Sequence, residues 1–415
     1  MKTTTRREFL AGGVADLCAL GGAALLTTGL ARLAFGAEPQ GEILVVLFLR
    51  GACDGLSIVP PLDGPDRALY EAARPNLKVP VKAAFNLNDR LGLHPAAKPL
   101  YELYKAGKLA VVHGSGLSSD TRSHFDAQAF MELGTPGQKN TTSGWITRHL
   151  LGLGSRPQAA SFLTAVSLGS LTPNSLLAYP EVAVINALDG FNIAGGKNYQ
   201  NAQRETLRRL CAGEGWVERY GRETLDALDA FEYVQPAAYK PAGRDYPKAD
   251  IGNRLRTLAQ IVKMDLGLTV ATVDMGGWDT HKYQGDNGEG YFANLLGQLS
   301  QALAAFHEDM SGRKVTVVVM SEFGRRLKEN ASRGTDHGHG NVMMVLGERI
   351  AGGKVFGRWP GLDNERLYER ADLAVTTDYR QVLGEILLKR LSNPKISEVF
   401  PGFADFAPLG LIQPG

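Results

Sequence analysis

Ile43-Leu-Val-Val-Leu-Phe-Leu49 is an unbroken apolar run. A strand with one wet face alternates apolar and polar side chains. A run without alternation belongs to a strand covered on both faces, as in a parallel sheet packed between helices. Leu109–Val112, Leu268–Asp274, Val315–Met320 and Val342–Leu346 repeat the pattern. The stretches between them have helical periodicity; His94-Pro95, for example, opens an amphipathic helix over Ala96–Lys105. Strands alternating with helices predict an α/β fold, with a mostly parallel sheet and helices on both faces.

From about Gly195 to Asn253 the pattern changes. Asn201–Leu210 and Trp216–Tyr233 read as polar amphipathic helices, and Pro236, Pro241 and Pro247 punctuate the loop that follows. This stretch is expected to be a helical insertion over one edge of the sheet, within a single domain spanning 38–415. No internal repeat or low-complexity tract is visible.

The amino terminus reads as an export signal spanning residues 1–37. Arg6-Arg7 precede Phe9 and Leu10, a Gly/Ala/Leu stretch runs from Leu17 to Ala31, and Ala34-Phe35-Gly36-Ala37 offers small residues for cleavage after Gly36 or Ala37. The arginine pair resembles the twin-arginine (Tat) type, a route that carries folded proteins, often with a metal or cofactor loaded. A membrane span needs about 20 uninterrupted apolar residues, and Asp16 and Arg32 interrupt this one. Cys18 lacks the neighbours of a lipid-attachment site. The expected location is periplasmic or otherwise extracytoplasmic, with the Tat translocase as partner during export and no stable membrane span after cleavage.

The chain carries 45 Lys and Arg against 43 Asp and Glu. With the signal go Lys2, Arg6, Arg7 and Arg32, and also Glu8 and Asp16, so the charges of the remainder balance. That balance gives no reason to expect a nucleic-acid partner. Cys53 and Cys211 are the remaining cysteines and are expected to be free thiols. Their spacing fits neither haem, iron–sulfur nor structural zinc. Gly114-x-Gly116-x-x-Ser119 falls one residue short of the dinucleotide fingerprint and lacks its downstream acid.

Ligands in open α/β sheets bind beyond the carboxyl ends of the strands. This chain places acids and histidines there repeatedly. Asp54 follows the first run, Ser119 to His124 the second, Asp279-Thr-His281 the third, and Glu322 the fourth, with Asp336-His337-Gly-His339 close behind. Carboxylate with imidazole suits Zn, Mn or Fe better than Ca. One such cluster alone reads as hydrogen bonding or capping; several, each after a buried strand, point to a metal or catalytic centre. His94, His113, His149 and His307 read as capping, packing or surface residues.

The segments Leu49-Arg-Gly-Ala-Cys-Asp-Gly-Leu56, Arg122-Ser-His-Phe-Asp-Ala-Gln128, Gly277-Trp-Asp-Thr-His281, Ser321-Glu-Phe-Gly-Arg325 and Gly334-Thr-Asp-His-Gly338 together resemble a Tat-exported bacterial family known as domain of unknown function 1501. The resemblance runs from about residue 43 to 390. That family in turn is similar to the alkaline phosphatase/sulfatase superfamily, which implies a three-layer αβα sandwich.

Carried over residue by residue, the resemblance makes Asp54 a first-strand metal ligand and Ser123 the nucleophile, with Thr121 and Ser119 as alternatives. Asp279 and His281 become paired ligands of one metal, completed by His337 or His339 of the Asp336-containing loop. Glu322 falls where a second metal would be held, but Phe323 stands where that pattern has histidine. One or two divalent ions (Zn, Mn or similar) are implied. Arg122, Arg325 or His124 would hold the anion. The expectation is an exported metal-dependent hydrolase of phosphate or sulfate esters. The rival, favoured by Phe323, is a non-catalytic extracytoplasmic binding protein.

Overall fold

In the computed structural model the described residues are 41–152, 163–188, 193, 197–233 and 239–413. The expected export signal, residues 1–37, lies outside them, as do parts of the expected insertion.

Thirteen strands are present among the described residues: β1 Ile43–Leu49, β2 Phe85–Asn86, β3 Gly92–Leu93, β4 Leu109–Gly116, β5 Ala165–Leu168, β6 Val182–Ile185, β7 Val270–Met275, β8 Val315–Met320, β9 Arg325–Glu329, β10 Thr335–His337, β11 Asn341–Gly347, β12 Lys354–Phe356 and β13 Thr377–Asp378. Nine form one sheet in the order β12-β4-β11-β8-β1-β7-β5-β6, with β13 added to β4. β1 lies at its centre, paired in parallel with β7 and β8. Only β11 runs against the rest, antiparallel to both β4 and β8. β2 pairs with β3, and β9 with β10, as two small antiparallel ladders.

The alternation of β1 explains the layers. Ile43, Val45, Leu47 and Leu49 face one core with residues of the helices Lys98–Lys105, Asp250–Lys263 and Tyr291–Asp309. Leu44, Val46 and Phe48 face a second core with the helices His124–Leu133, Trp145–Gly152 and Tyr379–Lys389. Both sets are buried, so the continuous apolar run has the physical cause expected of it, and the fold is a three-layer αβα sandwich around a mostly parallel sheet.

All five expected strands are present. β4 continues beyond Val112 to Gly116 because β13 and Asn341 of β11 supply partners at Ser115 and Gly116. β5 and β6 are too short for their apolar pattern to stand out and are fixed by pairing beside β7. The helices of the 195–253 region run over Gln200–Leu210 and Trp216–Tyr233, joined by ion pairs from Arg204 and Arg208 to Asp226 and Asp229. The helix Asp250–Lys263 starts before the expected end of that region. Cys53 and Cys211 are buried free thiols. No helix among the described residues is long and apolar enough to cross a membrane.

Candidate metal centre

The carboxyl ends of β1, β4, β7 and β8 share one edge of the sheet. The reversed direction of β11 brings its amino end to that edge, and so delivers His337 to the loops that carry His124, Asp279 and His281. Backbones pack closely there. Gly51 has φ +114°, and a Cβ on it would stand 2.6 Å from the Asp279 backbone nitrogen. A Cβ on Gly334 would meet the His281 carbonyl carbon at 2.2 Å. Any side chain at either position would push the loop bearing Asp279 and His281 away.

Three imidazoles converge on the Asp279 carboxylate. Asp279 Oδ1 is 3.4 Å from His124 Nε2, 3.1 Å from His281 Nε2 and 3.5 Å from His337 Nε2. The ligand atoms of His124, Asp279 and His337 all lie within 4.8 Å of one another. With metal–ligand bonds of 2.0–2.2 Å, the edge of a tetrahedral site is about 3.4 Å, which matches the contacts to His124 and His337. The side chains of Asp279 and His281 are 50% and 38% exposed, which leaves the centre open to a ligand from solvent.

The outer nitrogens set the tautomers. His337 Nδ1 is 2.8 Å from the Arg122 carbonyl oxygen. His281 Nδ1 is 3.0 Å from Asp336 Oδ1, and His124 Nδ1 is 2.8 Å from Glu322 Oε1. Each partner accepts only, so each Nδ1 carries the hydrogen and each neutral ring turns the Nε2 lone pair inward. Burial pushes the Glu322 carboxyl up, but hydrogen bonds from His124 and Gln128 outweigh this and hold it below its ordinary value. Asp336 is likewise lowered, burial being outweighed by Asn330 and His281.

Two consequences test the fit to a cation. His281 Nε2 and His337 Nε2 stand 2.9 Å apart, so two lone pairs face each other unless a cation or proton lies between them. His124 Nε2 is buried without a hydrogen-bond partner. The hydrogen bond to Glu322, against the opposing effect of burial, raises the His124 pKa. Asp279 pairs with the Arg325 guanidinium, while Glu322 and Asp336 accept from His124 and His281. The residues therefore fit a divalent cation in donor set.

The sequence-derived candidates separate into distinct positions. Asp279, His281 and His337 come together, and His124 joins them directly. Glu322 and Asp336 stand behind His124 and His281 as their acceptors. His339 lies apart, stacked on Tyr368 at 4.1 Å between ring centres. Asp54 is fully buried, with Arg74 Nη1 2.6 Å from Oδ2 and Arg74 Nη2 3.0 Å from Oδ1; Ser57 and Gln284 also donate to Oδ2, each at 2.7 Å.

Arg325 donates to the carbonyls of Gly51, Ala52, Trp278 and Thr335 and to Asp279, and Arg122 pairs with Glu369 and Asp372. Ser123 caps the helix His124–Leu133, its Oγ accepting from the Asp126 N–H at 3.4 Å. Thr121 Oγ1 accepts from the Ser123 N–H, and Ser119 lies in the loop before it. Phe323 is 1% exposed and walls the centre, its ring 5.0 Å from that of His124 and 5.1 Å from that of His337.

Sequence reasoning assigns His124 to the anion; the structure brings its Nε2 beside Asp279 and His337, and its position at the start of a helix after a buried strand is the signal for that proximity. His94 caps its own helix through Nδ1, His113 and His149 are buried, and His307 is partly buried near Glu348.

Residues 197–387 match the family model described as "Protein of unknown function (DUF1501)". That span includes Asp279, His281, Glu322, Asp336 and His337 but not Asp54 or Arg122–His124. A comparison with curated proteins gives no match. Among solved structures, the zinc complex of the C-terminal periplasmic domain of EcEptC from Escherichia coli is 10% identical. It covers 78% of this chain and 77% of its own, with a TM-score of 0.35. A protein in the alkaline phosphatase superfamily from Vibrio parahaemolyticus is also 10% identical, covering 83% and 70%, with a TM-score of 0.30. Superpositions this loose assign neither activity nor substrate.

Proposed function

We propose that this chain is an exported metal-dependent hydrolase of phosphate or sulfate esters, with one divalent ion held by His124, Asp279, His281 and His337. The observation that carries the reading is the inward convergence of three Nε2 atoms on one carboxylate, each outer Nδ1 facing an acceptor. A divalent ion in that position would polarise an ester oxygen and neutralise developing negative charge.

Ser123 is the nucleophile in this reading. Its hydroxyl is at the amino end of a ten-residue helix, where unpaired N–H groups and the helix dipole favour an oxyanion and a bound anion. In-line attack forms the bond from Oγ to phosphorus or sulfur and breaks the bond to the leaving oxygen, which departs with the electron pair; the hydroxyl proton passes to solvent and the leaving oxygen takes one from it. Water then attacks the same phosphorus or sulfur and breaks its bond to Oγ, which regains a proton as phosphate or sulfate is released. Because Arg122 and Arg325 already serve carboxylates and carbonyls, the anion's charge falls mainly to the ion and the helix end. Export rests on Arg6-Arg7, with the Tat translocase as partner.

The test is metal content by elemental analysis, with turnover of 4-nitrophenyl phosphate and sulfate by the wild type and Ser123→Ala. One ion per chain and turnover abolished in the variant are expected. Loss of the cap itself costs about 1 kcal/mol, too little to account for abolished turnover in a protein that remains folded.

A second reading, a non-catalytic extracytoplasmic binding protein, draws on Arg74. Its guanidinium takes both oxygens of Asp54, the carboxylate that the family resemblance makes a metal ligand. A wild-type protein that binds no metal and hydrolyses no ester would leave that reading in place.

A further inference from the structure

His124, Gln128 and Glu132 recur every fourth residue along the helix His124–Leu133 and therefore share one face. Each reaches a loop at a strand end. His124 Nδ1 and Gln128 Nε2 both approach Glu322 Oε1 at 2.8 Å, and the Gly51 N–H donates to the same oxygen at 2.8 Å. Ser321 Oγ donates to Glu322 Oε2 at 3.0 Å. The other end of the Gln128 amide, Oε1, accepts from Arg50 Nη1 at 3.3 Å. Arg50 is held in turn by Glu132 and by Asp274 Oδ1 at 2.9 Å, with its guanidinium 4.2 Å from the centre of the Phe48 ring.

We propose that Gln128 is a positioning residue for the metal centre, an inference that rests on the metal-dependent reading above. Glu322 is a buried carboxylate whose oxygen must point at His124 Nδ1 to keep that hydrogen outward and the Nε2 lone pair inward. Gln128 fixes the carboxylate from the same side as His124. Its amide cannot turn over, because Arg50 offers only donors to Oε1 and Glu322 only acceptors to Nε2. The chain Arg50–Gln128–Glu322–His124 links the ends of β1 and β8 to the orientation of one ligand ring, while Gln128 makes no hydrogen bond to Asp279, His281 or His337. Outer partners of this kind typically affect metal affinity by 10- to 100-fold.

The experiment titrates the metal-free protein with Co²⁺ and follows its visible absorption, which reports ligand geometry independently of turnover. Gln128→Leu keeps the side chain's bulk and removes both hydrogen bonds. It is expected to weaken Co²⁺ binding by about 10- to 100-fold and to change the band shape. Met131→Ala, a buried change on the same helix, is expected to lower thermal stability while leaving the Co²⁺ spectrum and affinity as in the wild type. If Gln128→Leu fails to fold, Gln128→Asn, one methylene too short to reach Glu322, asks the same question.

Wild-type Co²⁺ binding in the Gln128 variant, alongside its loss in His124→Ala, overturns the positioning role and leaves the metal centre standing. An equal loss in Met131→Ala also overturns it. A wild-type protein that takes up no Co²⁺ overturns both proposals.

Discussion

The Nε2 atoms of His281 and His337 face each other across 2.9 Å while both Nδ1 atoms turn to acceptors, Asp336 and the Arg122 carbonyl. Two neutral rings so arranged would repel, and a proton or a divalent ion between them would relieve the repulsion. Metal binding should therefore add to folding stability, by about 2.7 kcal/mol when free metal is 100 times its Kd. Thermal unfolding with and without Zn²⁺ measures this. The rise is expected in the wild type and in His307→Ala but not in His337→Ala or His281→Ala. A zinc-dependent rise surviving in both of the latter would count against the assigned ligands.

Asp54 and Arg74 are both fully buried and bonded at both carboxylate oxygens. Arg74→Met strands the carboxylate and should cost about 3–5 kcal/mol, whereas replacing both partners with apolar residues of similar volume should cost much less. Urea unfolding of the two single variants and the double variant measures the difference. Because Arg74 already serves as its counter-cation, Asp54→Asn should leave one ion per chain. Elemental analysis showing that ion lost would instead make Asp54 a ligand.

Acid should destabilise this fold through His113 and His149, both buried and both pushed by desolvation from 6.5 to about 4. A depressed folded pKa means the unfolded chain binds more protons between those values. The stability is thus fully present above pH 6.5 and is lost as pH falls to 4. Each group contributes up to about 3 kcal/mol over that window. Urea midpoints from pH 7 to pH 4 should fall steeply in wild type and less steeply in His113→Asn. An unchanged slope in the variant would remove His113 from the account.

Export should depend on Arg6 and Arg7. Replacing both with Lys should leave precursor inside the cell, measured by fractionation and immunoblotting. Normal appearance of the double variant outside the cytoplasm would show that another feature directs the chain.

The sequence by itself determined the layered architecture. A strand such as Ile43–Leu49 has no polar side to show to water, so it must lie between two apolar surfaces, and the intervening helices are there to supply them. It also placed the chemistry at the strand ends, because Asp279, His281 and His337 sit on Gly-flanked loops directly beside buried runs. Tertiary structure decided which of those groups meet.

The reversed direction of β11 brings His337, and not His339, to the centre. Docking of the helix His124–Leu133 turns His124 inward and makes Glu322 its hydrogen-bond partner. Arg74, distant in sequence from every strand end, claims Asp54. Each of these outcomes depends on a side chain's direction relative to elements remote in sequence. Apolar periodicity fixes only which face of an element is buried, so it contains no information about such partners.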